Sequence, residues 1–198
     1  MGAAYYSLLV VWGPSRGGLL LLLLATACGQ QDAAVRPNPA NRKPNYFDVQ
    51  GFLDAQVTRL SQQQPPVEKQ VKLRDGRPET TRVAKTEWSK ELQVFYQANI
   101  NKPALRGAYT VVPVVDGRRY QLTPSLDAPV TQLTVTGTGQ TPDVLTAIIK
   151  QDNPLFYSEK RLRLRTHNGL LTEYEVVGVQ KLVMFDTVRY LVRTRVVR

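Results

Sequence analysis

Apolar residues first recur at helical spacing over residues 46–60, where Val49, Phe52, Leu53, Val57 and Leu60 fall on one face. The spacing predicts an amphipathic helix capped by Asn45, with Asp48 completing the capping arrangement and the run Gln62 to Pro66 closing it. A second helix is expected over residues 87–99, capped by Thr86, with Trp88, Leu92, Phe95 and Tyr96 along one face and Pro103 preventing its extension. Between the two, residues 67–73 and 79–85 flank Asp75-Gly76, a pair suited to the positive φ angles of a hairpin turn.

From Ala108 onward the period changes to two. Residues 109–115 and 118–123 enclose Asp116-Gly117 as another hairpin, and strands are expected at 130–136, 144–151, 155–166, 170–183 and 188–197. The even positions Leu162, Leu164, Tyr174, Val176, Leu182, Tyr190, Val192 and Val196 are apolar, while Arg161, Arg163, Arg165, Arg193 and Arg195 point the other way. One face of this meander is therefore buried and the other wet. Around Asn168-Gly169, a two-residue loop would set Leu162 and Leu164 opposite Glu175 and Glu173, mixing the faces. A three-residue loop ending in a Gly169 bulge pairs Leu162 with Tyr174, Arg163 with Glu173 and Arg161 with Glu175, and this second register is the one expected. The fold class is accordingly α+β: two N-terminal amphipathic helices and an antiparallel, strongly curved sheet ending in a half-barrel-like meander.

Composition refines the picture upstream of that domain. The single cysteine of the chain, Cys28, follows an N-terminal stretch with an apolar run, a Gly/Pro break around Arg16 and six consecutive leucines, Leu19 to Leu24. The second apolar run is far shorter than the ~20 residues a membrane helix needs, so it reads as a leader. With the only cysteine at its boundary, no intramolecular disulfide is expected in the fold. Residues 29–45 carry three prolines and no periodicity, a tether whose 16 residues from Gly29 to Pro44 span at most ~50 Å. The domains expected are thus a signal peptide at 1–27, a lipidated cysteine and tether at 28–45, and one globular domain at 46–198.

Ala25, Thr26, Ala27, Cys28 and Gly29 resemble the lipobox of bacterial lipoproteins. That resemblance implies a thioether to diacylglycerol at Cys28, cleavage before it and acylation, for instance by palmitate, of the new amino terminus. Two or three chains at ~0.8 kcal/mol per buried CH₂ would hold the protein on a bilayer. Gly29, where inner-membrane lipoproteins typically place aspartate, implies the outer membrane, on its periplasmic side. Tyr46-Phe47-Asp48 with Gly51-Phe52, Trp88 to Leu92 and Asn99 to Pro103 are similar to stretches in uncharacterised lipoproteins of Bacteroidota, which bring no activity with them. The C-terminal meander is similar in outline to the open half-barrels that carry lipoproteins through the periplasm on a concave apolar face.

Charge and chemistry narrow the function. The formal net charge is +10, and cleavage removes only Arg16, leaving about +9 for anionic headgroups or another envelope polyanion, since nucleic acid is out of reach of a secreted protein. His167, the single histidine, falls in a turn, which leaves a Ser-His-Asp triad and a zinc constellation without material. Glu173 with Glu175, and Asp152 with Glu159, are the carboxylate pairs open to acid/base work, yet their arginine neighbours favour structural ion pairing. Gly137-Thr138-Gly139 lacks the rest of a phosphate loop.

The expectation is therefore a non-enzymatic envelope lipoprotein without a cofactor or metal. It binds an envelope protein or a lipid-like apolar ligand, with Leu162, Leu164, Tyr174 and Tyr190 as candidate ligand contacts. An enzyme acting on envelope polymers through carboxylates and a structural subunit of an envelope complex are the alternatives.

Overall fold

The computed structural model describes residues 45–137 and 141–197, so Cys28, the leader and most of the tether lie outside the described residues. The described chain is mostly one open antiparallel sheet with little helix. The helix α1 spans Val49–Gln63, followed by β1 Val67–Leu73, β2 Glu79–Val83 and a single-turn helix α2 at Trp88–Glu91. Short 3₁₀ segments at Gln93–Ala98 and Pro103–Leu105 lead to β3 Tyr109–Val114, β4 Gly117–Leu122, β5 Val130–Thr136, β6 Val144–Asn153, β7 Phe156–His167, β8 Leu170–Leu182 and β9 Val188–Val196. The strands run β2-β1-β9-β8-β7-β6-β5-β4-β3 across the sheet. Strands β3 to β9 form the expected meander, and the early hairpin extends the same sheet because β1 pairs with β9, from Val67 against Val196 to Leu73 against Tyr190.

Helix α1 starts three residues later than expected. Asp48, not Asn45, is its N-cap, and its carboxylate accepts the Gly51 N–H at 3.0 Å. The second predicted helix is a larger correction. Only Trp88–Glu91 is α-helical, the following turns tighten to 3₁₀, and Glu87 rather than Thr86 occupies the cap position. Trp88, Leu92, Phe95 and Ala98 are all essentially buried, and the tighter winding aims this crowded run at the sheet while a regular helix would turn part of it to solvent. The turn between β1 and β2 is also wider than a two-residue hairpin: the last paired residues are Val71 and Glu79, and Arg74 takes the left-handed conformation at φ 52°.

At Asn168-Gly169 neither expected register forms throughout. Both residues have positive φ, 51° and 73°, and make a two-residue loop that pairs His167 with Leu170. Thr172 is then the extra residue of a bulge, and beyond it Leu164 faces Tyr174, Leu162 faces Val176, Arg165 faces Glu173 and Arg163 faces Glu175. The bulge restores parity, so the faces are those expected while each partner moves along by two residues.

The even-numbered face is the core. Leu162, Leu164, Leu171 and Tyr174 pack there with Leu133, Leu145 and Ala147 from β5 and β6, beneath Val49, Leu53 and Leu60 of α1 and the Trp88–Ala98 region. Each fully buried leucine contributes about 1.5–3 kcal/mol. Phe95 meets the Tyr174 ring edge-on at 5.5 Å. Gln56, almost fully buried, ties α1 to the turn after β7: its Nε2 donates to the Gly169 carbonyl at 3.0 Å and its Oε1 accepts the Leu171 N–H at 2.9 Å.

Candidate functional site

The sheet face opposite the helices holds the unusual chemistry. Because side chains alternate along each strand, residues paired across neighbouring strands form rungs on that face. One rung, read from β2 to β7, is Arg82, Glu68, Arg195, Glu173, Arg165, alternating in sign at every step. The next contains Arg193, Glu175 and Arg163. Arg193 is the hub between the two: its Nε donates to Glu175 Oε2 at 2.9 Å, its Nη2 reaches the same oxygen, and Glu173 Oε1 lies 3.7 Å from its Nε. The Glu175 hydrogen bond and charge push the Arg193 guanidinium pKa further up, so it stays charged.

One rung further the alternation stops. Lys72 and Arg161 bracket Leu191 and Val177, and Ile148 follows Arg161. The rung after that sets Arg189 beside Val179 and Glu159, while Arg74 is joined to β9 by its N–H to the Arg189 carbonyl at 2.7 Å. These two rungs line a cleft of about 460 Å³. Val177, Val179 and Leu191 give it an apolar floor, and Lys72, Arg74, Arg161 and Arg189 a cationic rim. Asp75 and Glu159 are the acidic members of that lining. Glu159 is engaged elsewhere as well, accepting the Tyr157 hydroxyl at 2.8 Å with Lys150 Nζ at 3.8 Å. The hydrogen bond to Glu159 raises the Tyr157 pKa and keeps the phenol protonated.

The residues singled out from sequence separate sharply. Leu162, Leu164 and Tyr174 are 0%, 1% and 3% exposed, because the helical layer covers the part of the apolar face on which a ligand was expected. They are core residues, whereas Leu73 and Leu182, at the strand ends of the same face, are 59% and 43% exposed. Tyr190 is the one candidate among the cleft-lining residues, but its ring packs on the helix side of the sheet, crossing Gly178, where an added Cβ would sit 2.3 Å from Tyr190 Cζ. Glu173 and Glu175 face Arg165 and Arg163 across β7 and meet Arg193 from β9, in place of the expected Arg163 and Arg161. Asp152 and Glu159 lie on one face but are separated by Tyr157 and Lys150, the direct partners of each. His167 is the exposed last residue of β7.

The cleft was missed because it requires register: its floor comes from two strands and its rim from four segments. One signal was present. Val176, Val177 and Val179 are consecutive or nearly so, and an apolar residue at an odd position of β8 breaks the period of two on the wet face.

Among the described residues no three His, Cys, Asp or Glu side chains converge as metal ligands, and no helix is long and apolar enough to cross a membrane. A scan against protein-family models finds no match, and neither curated proteins nor solved structures yield one.

Proposed function

We propose that the chain is an envelope lipoprotein, anchored through acyl chains on Cys28 at the periplasmic side of the outer membrane, and that it works as a non-enzymatic binding module for an anionic, lipid-like ligand. The reading rests on the cleft, whose apolar floor and cationic rim lie side by side on the uncovered face of the sheet. An acyl chain laid on Val177, Val179 and Leu191 loses water-exposed apolar surface, and a phosphate or carboxylate head then falls within reach of Arg161 and Arg189. Volumes of a few hundred cubic ångströms are those of small-ligand sites. The finer picture of a strongly curved, half-barrel-like sheet belongs to this reading, since neighbouring strands rotate by about 20–25° and an open sheet of nine coils accordingly.

The test is native mass spectrometry of the protein mixed with phosphatidylglycerol. One lipid is expected to bind per chain, and Arg161→Glu with Arg189→Glu is expected to weaken binding by at least tenfold, about 1.4 kcal/mol or more. Equal retention by both proteins would remove the cleft from consideration.

A further inference from the structure

Two loops at the end of the sheet nearest the cleft combine into an apolar tip. The turn between β6 and β7 presents Leu155, 73% exposed, and the loop between β8 and β9 presents Val183, Met184 and Phe185 at 52%, 96% and 71%. The loops are joined, since the Val183 N–H donates to the Leu155 carbonyl at 3.1 Å, and Phe185 N–H closes the β8–β9 loop on Leu182 at 3.2 Å. Isolated exposed apolar residues are ordinary, but four in adjoining loop ends are not. The backbone adds a second observation. Met184 adopts φ 69°, a left-handed conformation that glycine takes freely and a long side chain does not, so the most exposed apolar residue of the tip is displayed at a conformational cost.

We propose that this tip inserts into the headgroup and upper acyl region of an anionic phospholipid surface. Its shape fits that occupant: a protruding end of four side chains is too small for a stable protein interface, which takes 20–30 residues a side, yet suffices to wedge between headgroups. The surroundings fit it too. Lys181 and Arg189 lie on the strands leading into and out of the β8–β9 loop and Arg74 is hydrogen-bonded to Arg189, with Asp75, Asp186 and Asp152, which shares a rung with Tyr157 and Lys181, as the local acidic residues, in a chain of net charge +10. Cations placed around an apolar tip draw it to negatively charged headgroups and snorkel to the phosphates once it enters. Insertion requires neither the Cys28 lipid nor an occupied cleft, so it stands or falls apart from the function proposed above.

Cys28 is the sole cysteine, so the full chain with Cys28→Ala and Met184→Cys takes a single nitroxide label at the tip. The protein is mixed with vesicles of phosphatidylglycerol and phosphatidylcholine in equal parts, and label collisions with oxygen and with a water-soluble nickel complex are compared by electron paramagnetic resonance. Oxygen access is expected to rise and nickel access to fall several-fold. A label at Val115→Cys, which is 87% exposed in the β3–β4 turn at the far end of the strands, is expected to stay wet. Vesicles of phosphatidylcholine alone are expected to bind less. Met184→Asp with Phe185→Asp is expected to lower vesicle binding about tenfold with an unchanged Tm, since neither side chain is buried. A Met184 label that stays wet on vesicle-bound protein, immobilisation of that label by a second copy of the chain without vesicles, or full binding by the aspartate variant would each overturn the proposal.

Discussion

Tyr109 shows how one side chain joins elements distant in sequence. Its hydroxyl donates to the Val130 carbonyl at 2.7 Å, and its ring meets Tyr46 edge-on at 5.5 Å. The Tyr46 hydroxyl in turn accepts the Tyr109 N–H at 3.2 Å, pinning the segment before α1 to the start of β3. Burial, followed by the charge Tyr46 would carry, pushes the Tyr109 pKa up from 10.0 to about 12. A pKa raised in the folded state means that the unfolded chain loses its proton first as pH climbs. The contribution to stability is therefore complete below pH 10 and disappears as pH rises through about 12. Tyr96, raised to about 12 by burial and then by its hydrogen bond to Asp54, adds to the same decline. Urea denaturation across the alkaline range should show stability falling over that window. Tyr109→Phe should start about 1 kcal/mol lower at neutral pH for want of one hydrogen bond, yet decline less steeply. An identical alkaline slope in both proteins would mean that Tyr109 does not govern it.

Elements were legible where local pattern decides them. Val130–Thr136 forms over the span its alternation marks, because each inward residue faces a core that the pattern already implies. The stretch after Thr86 was not legible as it forms, since its helical spacing is real but the packing of Trp88, Leu92 and Phe95 on the sheet sets how tightly it winds. Register failed at one residue, Thr172, because a bulge leaves no mark in the alternation beyond the turn. The contact between β8 and β9 gives a direct test of such close fitting. Gly178 lies opposite Tyr190 and leaves room for its ring, and no side chain fits there while Tyr190 keeps its place. Gly178→Ala should cost about 1–3 kcal/mol by forcing the ring aside. Tyr190→Ala in the same chain should make the Gly178→Ala step nearly neutral. Equal cost of that step in both backgrounds, read from a double-mutant cycle of denaturation midpoints, would show that the two residues do not contend for this space.

At the scale of the molecule, the sequence revealed one buried and one basic face but not which of them stays open, because an amphipathic helix in sequence does not state how much sheet it will cover. Two helices were expected to cover only part of the apolar sheet face. The single long helix and its 3₁₀ neighbours cover the middle of the even face, leaving Leu73 and Leu182 exposed at its end, and a cleft opens on the face that read as merely solvated. Glu173 and Glu175 hold the balance of charge there. Both surround Arg193, and with that side chain 43% exposed the pairs are worth little to stability, about 1 kcal/mol or less. Their larger effect is on the field in front of the sheet. Glu173→Gln with Glu175→Gln takes the formal charge from +10 to about +12 and leaves Arg163, Arg165 and Arg193 without a carboxylate across the rung, while Arg195 keeps Glu68 alone. The variant should unfold within about 1 kcal/mol of the parent, bind phosphatidylglycerol vesicles more tightly, and lose that gain as salt rises and screens the face. Unchanged vesicle affinity at low salt would show that this face does not steer anions. Loss of a cellular phenotype with binding and stability intact would assign the two carboxylates to acid/base chemistry on an envelope polymer.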